Sequence, residues 1–287
     1  MSARPHVVLL LLPTVAIALG AFVAHRHGVP WVAFAPNVAA LLLGVAFVWL
    51  VPARQGRGPS PIGTIVALSL LAATLAFPGI EGVCRWLFLG PIAINVSAVV
   101  APFLLGVVAT TRKRALLVTA FVTIVHALQP DAGQATAFGV GAATVFVIAS
   151  EASLGARALG ALIALGGVAV AWWRRDPLAP VAHVERIVHL GFGVHAAFGV
   201  AISFALVLLA LPFVRAATRS GDSARIGAAC TAYFVTSVAV TVLGNFPVPV
   251  VGAGASPVLG WFVLLRLLRV SSEEPATSDA DVRQLVR

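Results

Sequence analysis

The chain has 287 residues, 60% of them hydrophobic and only 10% charged, with a mean hydropathy of +1.02. Soluble domains carry roughly 25% charged residues, so a soluble globular protein is excluded and a polytopic membrane protein is indicated. The net charge of +9 is no nucleic-acid signal, because the basic residues sit in short loops between apolar runs, where they set orientation and meet anionic lipid head groups.

Met1 to Ala24 carries Arg4, an apolar run and small residues near its end, a pattern shared with secretory signals. Many further apolar runs follow, so it reads as an uncleaved first helix. A bilayer core needs about 20 apolar residues per helix. Ten spans follow on that basis, at 7–24, 30–51, 61–78, 94–110, 115–129, 132–150, 157–173, 190–214, 226–245 and 250–268. The expected fold is all-α, a polytopic transmembrane helical bundle forming one domain over 1–270. The polar tail SSEEPATSDADVRQLVR, 271–287, reads as disordered and cytoplasmic.

Orientation follows from the placement of Lys and Arg. With the N-terminus in the cytoplasm, 14 of the 19 basic residues fall inside and 5 outside: Arg26, Arg85, Arg174, Arg175 and Arg186. Both termini are then cytoplasmic and the short basic loops are inner anchors. The two cysteines, Cys84 and Cys230, fall toward opposite faces, and there is neither a disulfide framework nor a metal-ligand spacing.

The polar, Gly- and Pro-rich breaks all fall on the outer side. Irregular backbone at membrane depth survives only where protein or a water-filled cavity satisfies its peptide groups, so four such breaks suggest a shared outward cavity. In Gly82–Pro91, GVCRWLFLGP, Arg85 beside Trp86 is either an interface anchor or a cation able to grip a phosphate with paired hydrogen bonds. In Gln129–Gly133, Pro130 ends one helix and Asp131 can cap the next. Arg174–Leu190, RRDPLAPVAHVERIVHL, gathers arginines, Asp176, His183 and Glu185 at the membrane boundary. Glu185 there is either a partner of Arg186 or Arg175, or a carboxyl whose proton affinity desolvation raises into a useful range for a general base. His183 and Glu185 share a side if the strand is extended and diverge if it is helical. In Phe246–Ser256, FPVPVVGAGAS, two prolines bend the entry and Gly252 and Gly254 allow close backbone approach.

In this order the four segments resemble the SEDS family of FtsW and RodA, ten-span proteins that polymerise peptidoglycan glycan strands from lipid II. GVCRWLFLGP is similar to the family's G-A-R-R-W-L-x-L-G-P loop, QPDAGQA to its Q-P-D-L-G-T-A break, PVAHVERI to its P-x-x-H-T-D-F-I segment, and FPVPVVGAGAS to its I-P-L-P-F-V-S-Y-G-G-S-S segment. The resemblance spans roughly residues 79 to 268. It departs at four places. The family's Q-P-S-E with a lysine three residues on is replaced by Asn95-Val96-Ser97-Ala98 and Ala101. Glu185 stands where the family has its proposed catalytic aspartate. Ala253 stands where it has a tyrosine. The large loop before H-T-D is cut to about a dozen residues.

The resemblance implies a glycosyltransferase of cell-wall synthesis, active in elongation or division in the bacterial cytoplasmic membrane. Glu185 would be its catalytic base, and Arg85, Asp131 and His183 would serve substrate binding. A divalent cation, Mg or Mn, is an optional helper at the diphosphate. Its implied partners are a lipid II-like substrate, a class B penicillin-binding protein and membrane lipids, with no nucleic acid. Two readings of other classes stay open: a non-catalytic SEDS-like subunit, which the missing Glu and Lys favour, and a lipid-linked sugar transporter. A transporter predicts charges within several spans, and His126 is the nearest to such a group.

Overall fold

The computed structural model describes residues 4–51, 59–90, 92–149, 151–174 and 176–272. Arg175, several loop arginines and the tail from 273 onward lie outside the described residues, so the expectation of a disordered tail concerns residues outside them.

Each expected span corresponds to a helix. They are α1 (Arg4–Arg26), α2 (Ala35–Leu50), α3 (Pro61–Ala73), α4 (Val96–Thr110), α5 (Arg112–Leu128), α6 (Ala132–Ile148), α7 (Leu154–Trp173), the short α8 (Ala182–Glu185) and α9 (Ile187–Val194), then α10 (Ala196–Ala217), α11 (Gly221–Leu243) and α12 (Ala255–Ser272). By length and composition, five helical stretches among the described residues could cross a membrane: Leu9–Arg26, Trp31–Leu50, Leu154–Trp173, Ala196–Ala217 and Gly221–Leu243. Pro61–Ala76, Val96–Thr110 and Ala132–Ile148 are shorter apolar helices. Together these make an all-helical, multi-pass membrane bundle.

Two details differ from the sequence reading. The first outward segment is not a plain loop: Trp86–Leu89 (β1) and Ile92–Asn95 (β2) pair antiparallel, Trp86 opposite Asn95, around a tight turn where Gly90 takes φ +60. The expected single span 190–214 is broken at His195, whose backbone is extended and whose ring accepts a hydrogen bond from Ala197 N at 3.2 Å, capping α10. α9 packs back on the first turns of α10. A Cβ on Gly191 would lie 3.2 Å from the Gly199 Cα, so only glycines allow that approach.

α4 and α6 are buried along nearly their whole length. Their small residues let neighbours come close, the usual way apolar helices associate without a hydrophobic driving force. α6 packs on α11, α7, α4 and α5, while α12 lies between α2 and α4. The peripheral helices instead present Leu42, Leu43, Ile62, Leu162 and Val207 outward, as a lipid-facing surface requires.

Opposite ends of the bundle differ in chemistry. At one end, arginines meet free helix carbonyls: Arg266 and Arg269 both donate to Val48 O near the C-terminus of α2, at 3.2 and 2.6 Å. Cations at the negative end of a helix dipole are stabilising. Glu151 links the same end, pairing with Arg112 at 3.1 Å and Arg225 at 2.7 Å. The other end, called the site end below, gathers all four irregular segments.

The segment before α12 is held by a residue the sequence did not single out. Asn37, fully buried on α2, donates to Val250 O (3.3 Å) and Gly252 O (2.8 Å) and accepts from Gly254 N (2.7 Å). Val250 sits at φ +65, a strained conformation for a β-branched residue. Asn37 satisfies the peptide groups that this bend leaves without helix partners. Replacing Asn37 by leucine is expected to destabilise the fold by about 1–3 kcal/mol for each buried carbonyl left bare. Thermal unfolding of the purified protein in detergent measures this, and an unchanged midpoint would show that the bend holds itself.

Candidate active site

At the site end, Arg85 is the centre to which the irregular segments converge. It precedes β1, and its backbone carbonyl accepts from Val96 N at 3.1 Å, which fixes the hairpin against the start of α4. Its side chain is only 3% exposed. The guanidinium Nη2 donates to Asp176 Oδ2 at 2.5 Å and to the Pro130 carbonyl. Its Nε lies 3.5 Å from Asp131 Oδ2, and the group lies 5.9 Å from the Trp86 ring centroid. One cation therefore faces two carboxylates from distant parts of the chain.

Asp131 caps α6, as expected, and also faces the buried cation. Its Oδ1 accepts from Gln134 N at 3.1 Å, capping α6, while its Oδ2 points at Arg85. Around it runs a buried polar layer. Ser97 donates to Gln129 Oε1 at 2.9 Å, Gln129 donates to Thr74 Oγ1 at 2.6 Å, and Ser256 Oγ accepts from Asn95 N at 2.9 Å. Tyr233 donates to Gln134 Oε1 at 2.7 Å. Three of the four segments expected to share a cavity do so, while Arg174–Leu190 contributes no lining residue to it. Its enclosed volume is about 40 Å³, and it is lined by Arg85, Asn95, Asp131, Gln134, Tyr233 and Ser237, with Phe246, Pro247 and Pro249 closing one side.

Glu185 ends the short helix α8, half-buried. Its Oε2 accepts from Val181 N at 2.8 Å. Arg186 does not pair with it but donates to Asn245 Oδ1 at 2.9 Å. Burial pushes the Glu185 carboxyl above its ordinary value. The hydrogen bond from Val181 N, Arg85 and Arg186 work against that push, and Asp176 adds to it. Glu185 lines a second, larger space of about 690 Å³ between α10 and α11, together with His189, Val207, Leu211, Val238 and Val242. Phe234 walls both spaces, so Arg85 and Glu185 stand in adjoining cavities rather than one.

Because α8 is helical, His183 and Glu185 diverge. Among the described residues the His183 ring has no hydrogen-bond partner, and its contribution is backbone: its carbonyl accepts from Ala253 N at 3.0 Å. Val184 O likewise accepts from Val248 N at 3.0 Å. The α8 backbone is thus sewn to Phe246–Ser256, and a Cβ on Gly252 would come within 2.2 Å of Val184 O. Sequence reasoning missed Asp176 as a partner of Arg85, and Asn37 and Asn245 as clamps. Asp176 had one visible signal, its place among the few acidic residues outside the tail.

The chain matches no family model and no curated protein at the level of sequence. Its fold does match solved structures. The rod shape determining protein RodA of Thermus thermophilus superposes with a TM-score of 0.62 at 22% identity, over 91% of this chain and 94% of that one. An aspartate-to-alanine variant of that RodA gives the same TM-score at 21% identity. A chain from a structure described as the coordination of polymerization and crosslinking by a peptidoglycan synthase complex gives 0.59 at 21% identity, over 92% and 97% of the two chains. The bundle is therefore RodA-like in fold, as the sequence resemblance implied.

Two outcomes test the geometry of Glu185. Burial favours its protonated form, so the folded chain binds this proton more tightly than the unfolded chain does. That contribution is present below the unfolded carboxyl's pKa and is lost as pH rises through the folded one. Glu185→Gln is therefore expected to gain stability relative to the natural chain as pH rises from 4 toward neutrality, read by thermal unfolding across that range; parallel pH curves would contradict the burial argument. Gly252→Ala is expected to push α8 from its seat and lower thermal stability, with the loss vanishing if Val184 O is free to move.

Proposed function

We propose that the chain is a SEDS-type glycan polymerase of the bacterial cell wall, with both termini cytoplasmic and its site at the outer membrane face. The observation that carries this reading is the pairing of a polar cavity that holds the buried cation Arg85 with an adjoining apolar groove headed by Glu185. Such a pair suits a substrate with a diphosphate at the interface and a long hydrocarbon tail in lipid. The RodA-like fold and the four ordered motifs support it.

The reaction is glycosyl transfer. The hydroxyl of the acceptor sugar attacks the anomeric carbon of the donor, and a new C–O bond forms as the bond to the diphosphate breaks. The diphosphate leaves with the electron pair. Glu185 takes the hydroxyl proton, and its burial lifts its proton affinity toward the working pH, where a general base contributes about 10²–10⁴ in rate. Arg85 offsets the charge that develops on the departing diphosphate. Asp131 holds Arg85 and caps α6, and His183 anchors α8 through its carbonyl. As for the divalent cation, no three His, Cys, Asp or Glu side chains among the described residues converge to hold one, so no step is routed through a resident metal. Any such ion would arrive with the diphosphate it neutralises.

The partner fitting this role is a class B penicillin-binding protein, which would cross-link the strands. One observation favours the reading as a non-catalytic subunit: Ala98, which lines the Arg85 cavity, and Ala101 lack the ionisable groups that the resemblance leads one to expect there.

The deciding experiment incubates purified protein, with and without a candidate transpeptidase partner, with lipid-linked disaccharide-peptide. Polymer is expected from the natural chain. Glu185→Gln is expected to lose it by about 10²-fold or more while remaining inserted and folded; equal polymer from Glu185→Gln would leave the subunit reading. Arg85→Ala is expected to weaken use of the donor, and Ala239→Trp, which fills the groove, to raise the donor KM more than it lowers kcat.

A further inference from the structure

Arg85 cannot receive a diphosphate as it stands. A guanidinium recognises phosphate or carboxylate best through two parallel N–H bonds from one edge of its fork. Here Nη2 is taken by Asp176 and the Pro130 carbonyl, and Nε faces Asp131. The two carboxylates are not equivalent. Asp131 is 2% exposed and caps α6, so it cannot leave without uncapping a central helix. Asp176 sits on an irregular linker between α7 and α8, and its side chain is 17% exposed. Among the described residues, its other oxygen accepts only from Leu178 N, two residues away, at 3.0 Å.

The linker is fastened firmly at its ends and loosely near Asp176. Arg174 donates to Ala127 O and Leu128 O at 3.0 and 3.1 Å, and Arg186 grips Asn245 at 2.9 Å. Between them, the contact of Asn245 with Leu178 O is a long 3.5 Å, too weak to hold the strap against a competing anion. No apolar side chain needs to move for Asp176 to turn outward, because Pro177, Ala179 and Pro180 beside it are exposed.

We propose that Asp176 is a built-in stand-in for the substrate's phosphate, a latch that occupies the Arg85 seat and is displaced by an incoming lipid diphosphate. The proposal rests on Arg85 as the diphosphate seat. Its consequence is selectivity by charge. A monophosphate brings about −1.5 to −2 of charge at neutral pH, whereas a diphosphate brings more charge and more acceptor oxygens to the fork and so displaces Asp176 more readily. The latch also keeps Arg85 neutralised while the site is empty, since a buried unpaired guanidinium is costly.

The test uses purified full-length protein in nanodiscs, with farnesyl diphosphate and farnesyl monophosphate as probes. Asp176→Asn is expected to bind the diphosphate about tenfold more tightly than the natural chain, because the competent state no longer has to be released first. It is also expected to narrow the preference for diphosphate over monophosphate. Equal or weaker diphosphate binding by Asp176→Asn overturns the latch. Hydrogen exchange on the natural chain provides a second reading that needs no substitution: saturating farnesyl diphosphate is expected to speed exchange at Leu178, and unchanged or slower exchange there overturns the latch equally. Arg85→Ala separates the two ideas. If it leaves diphosphate binding by the natural chain intact, the seat itself is misassigned. If it abolishes binding while Asp176→Asn fails to strengthen it, the seat stands and the latch falls.

Discussion

A single guanidinium buried among carboxylates organises the site end of this bundle. Arg85 draws together the hairpin, the Pro130–Asp131 break and the α7–α8 linker, three pieces that no continuous helix connects. A buried charge of this kind is poor evidence of stability, since desolvation consumes most of the Coulomb gain and an apolar replacement often does as well. Its presence in a chain with so few charges argues for a role that an apolar residue could not fill. Irregular backbone follows from the same constraint: peptide groups near lipid must be satisfied by protein, and here they are satisfied by each other and by Asn37, Ser256 and Asn245.

The glycine pattern explains how the site can be so close-packed. Gly20 meets the Val251 carbonyl, Gly252 meets Val184 O, and Gly260 on α12 meets the Ala98 carbonyl on α4. At each contact a methyl group would force the backbones apart. Those three contacts set the depth of the Phe246–Ser256 segment, and through it the position of α8 and Glu185. The catalytic reading of Glu185 therefore depends on backbone approach as much as on its own side chain.

Much of this was legible from the sequence, for identifiable reasons. Apolar run length gave the helices, because a bilayer admits few alternatives. The Asp131 cap was readable because capping is local, spanning three residues. A cavity shared by three of the four breaks was legible from where they fell, but not that Arg174–Leu190 opens on a separate space. What was not legible is what depends on through-space pairing. Arg85 and Asp176 are 91 positions apart, and Asn37 lies more than 200 positions from the segment it clamps. No periodicity encodes such partners. The break at His195 was hidden for another reason: the run from Leu190 to Leu211 is apolar apart from His195 and Ser203, and only Gly191, Gly193, His195 and Gly199 hint that the chain folds back on itself.

The shortened linker before α8 gives the arrangement its particular logic. A long loop could carry its own fold and leave Arg85 open. The eight residues between Trp173 and Ala182 have no room for that, and any acid on them falls within reach of the cation below. Asp176 is that acid, and Pro177 after it limits how far the backbone can relax. The same brevity holds Glu185 near Arg85 while leaving the two in adjoining spaces on either side of Phe234. A substrate joining both must thread its charged part past one side of that ring and its apolar part past the other. In that geometry the proposed phosphate seat and the proposed proton acceptor are kept apart, and only a ligand long enough to span both spaces would engage them together.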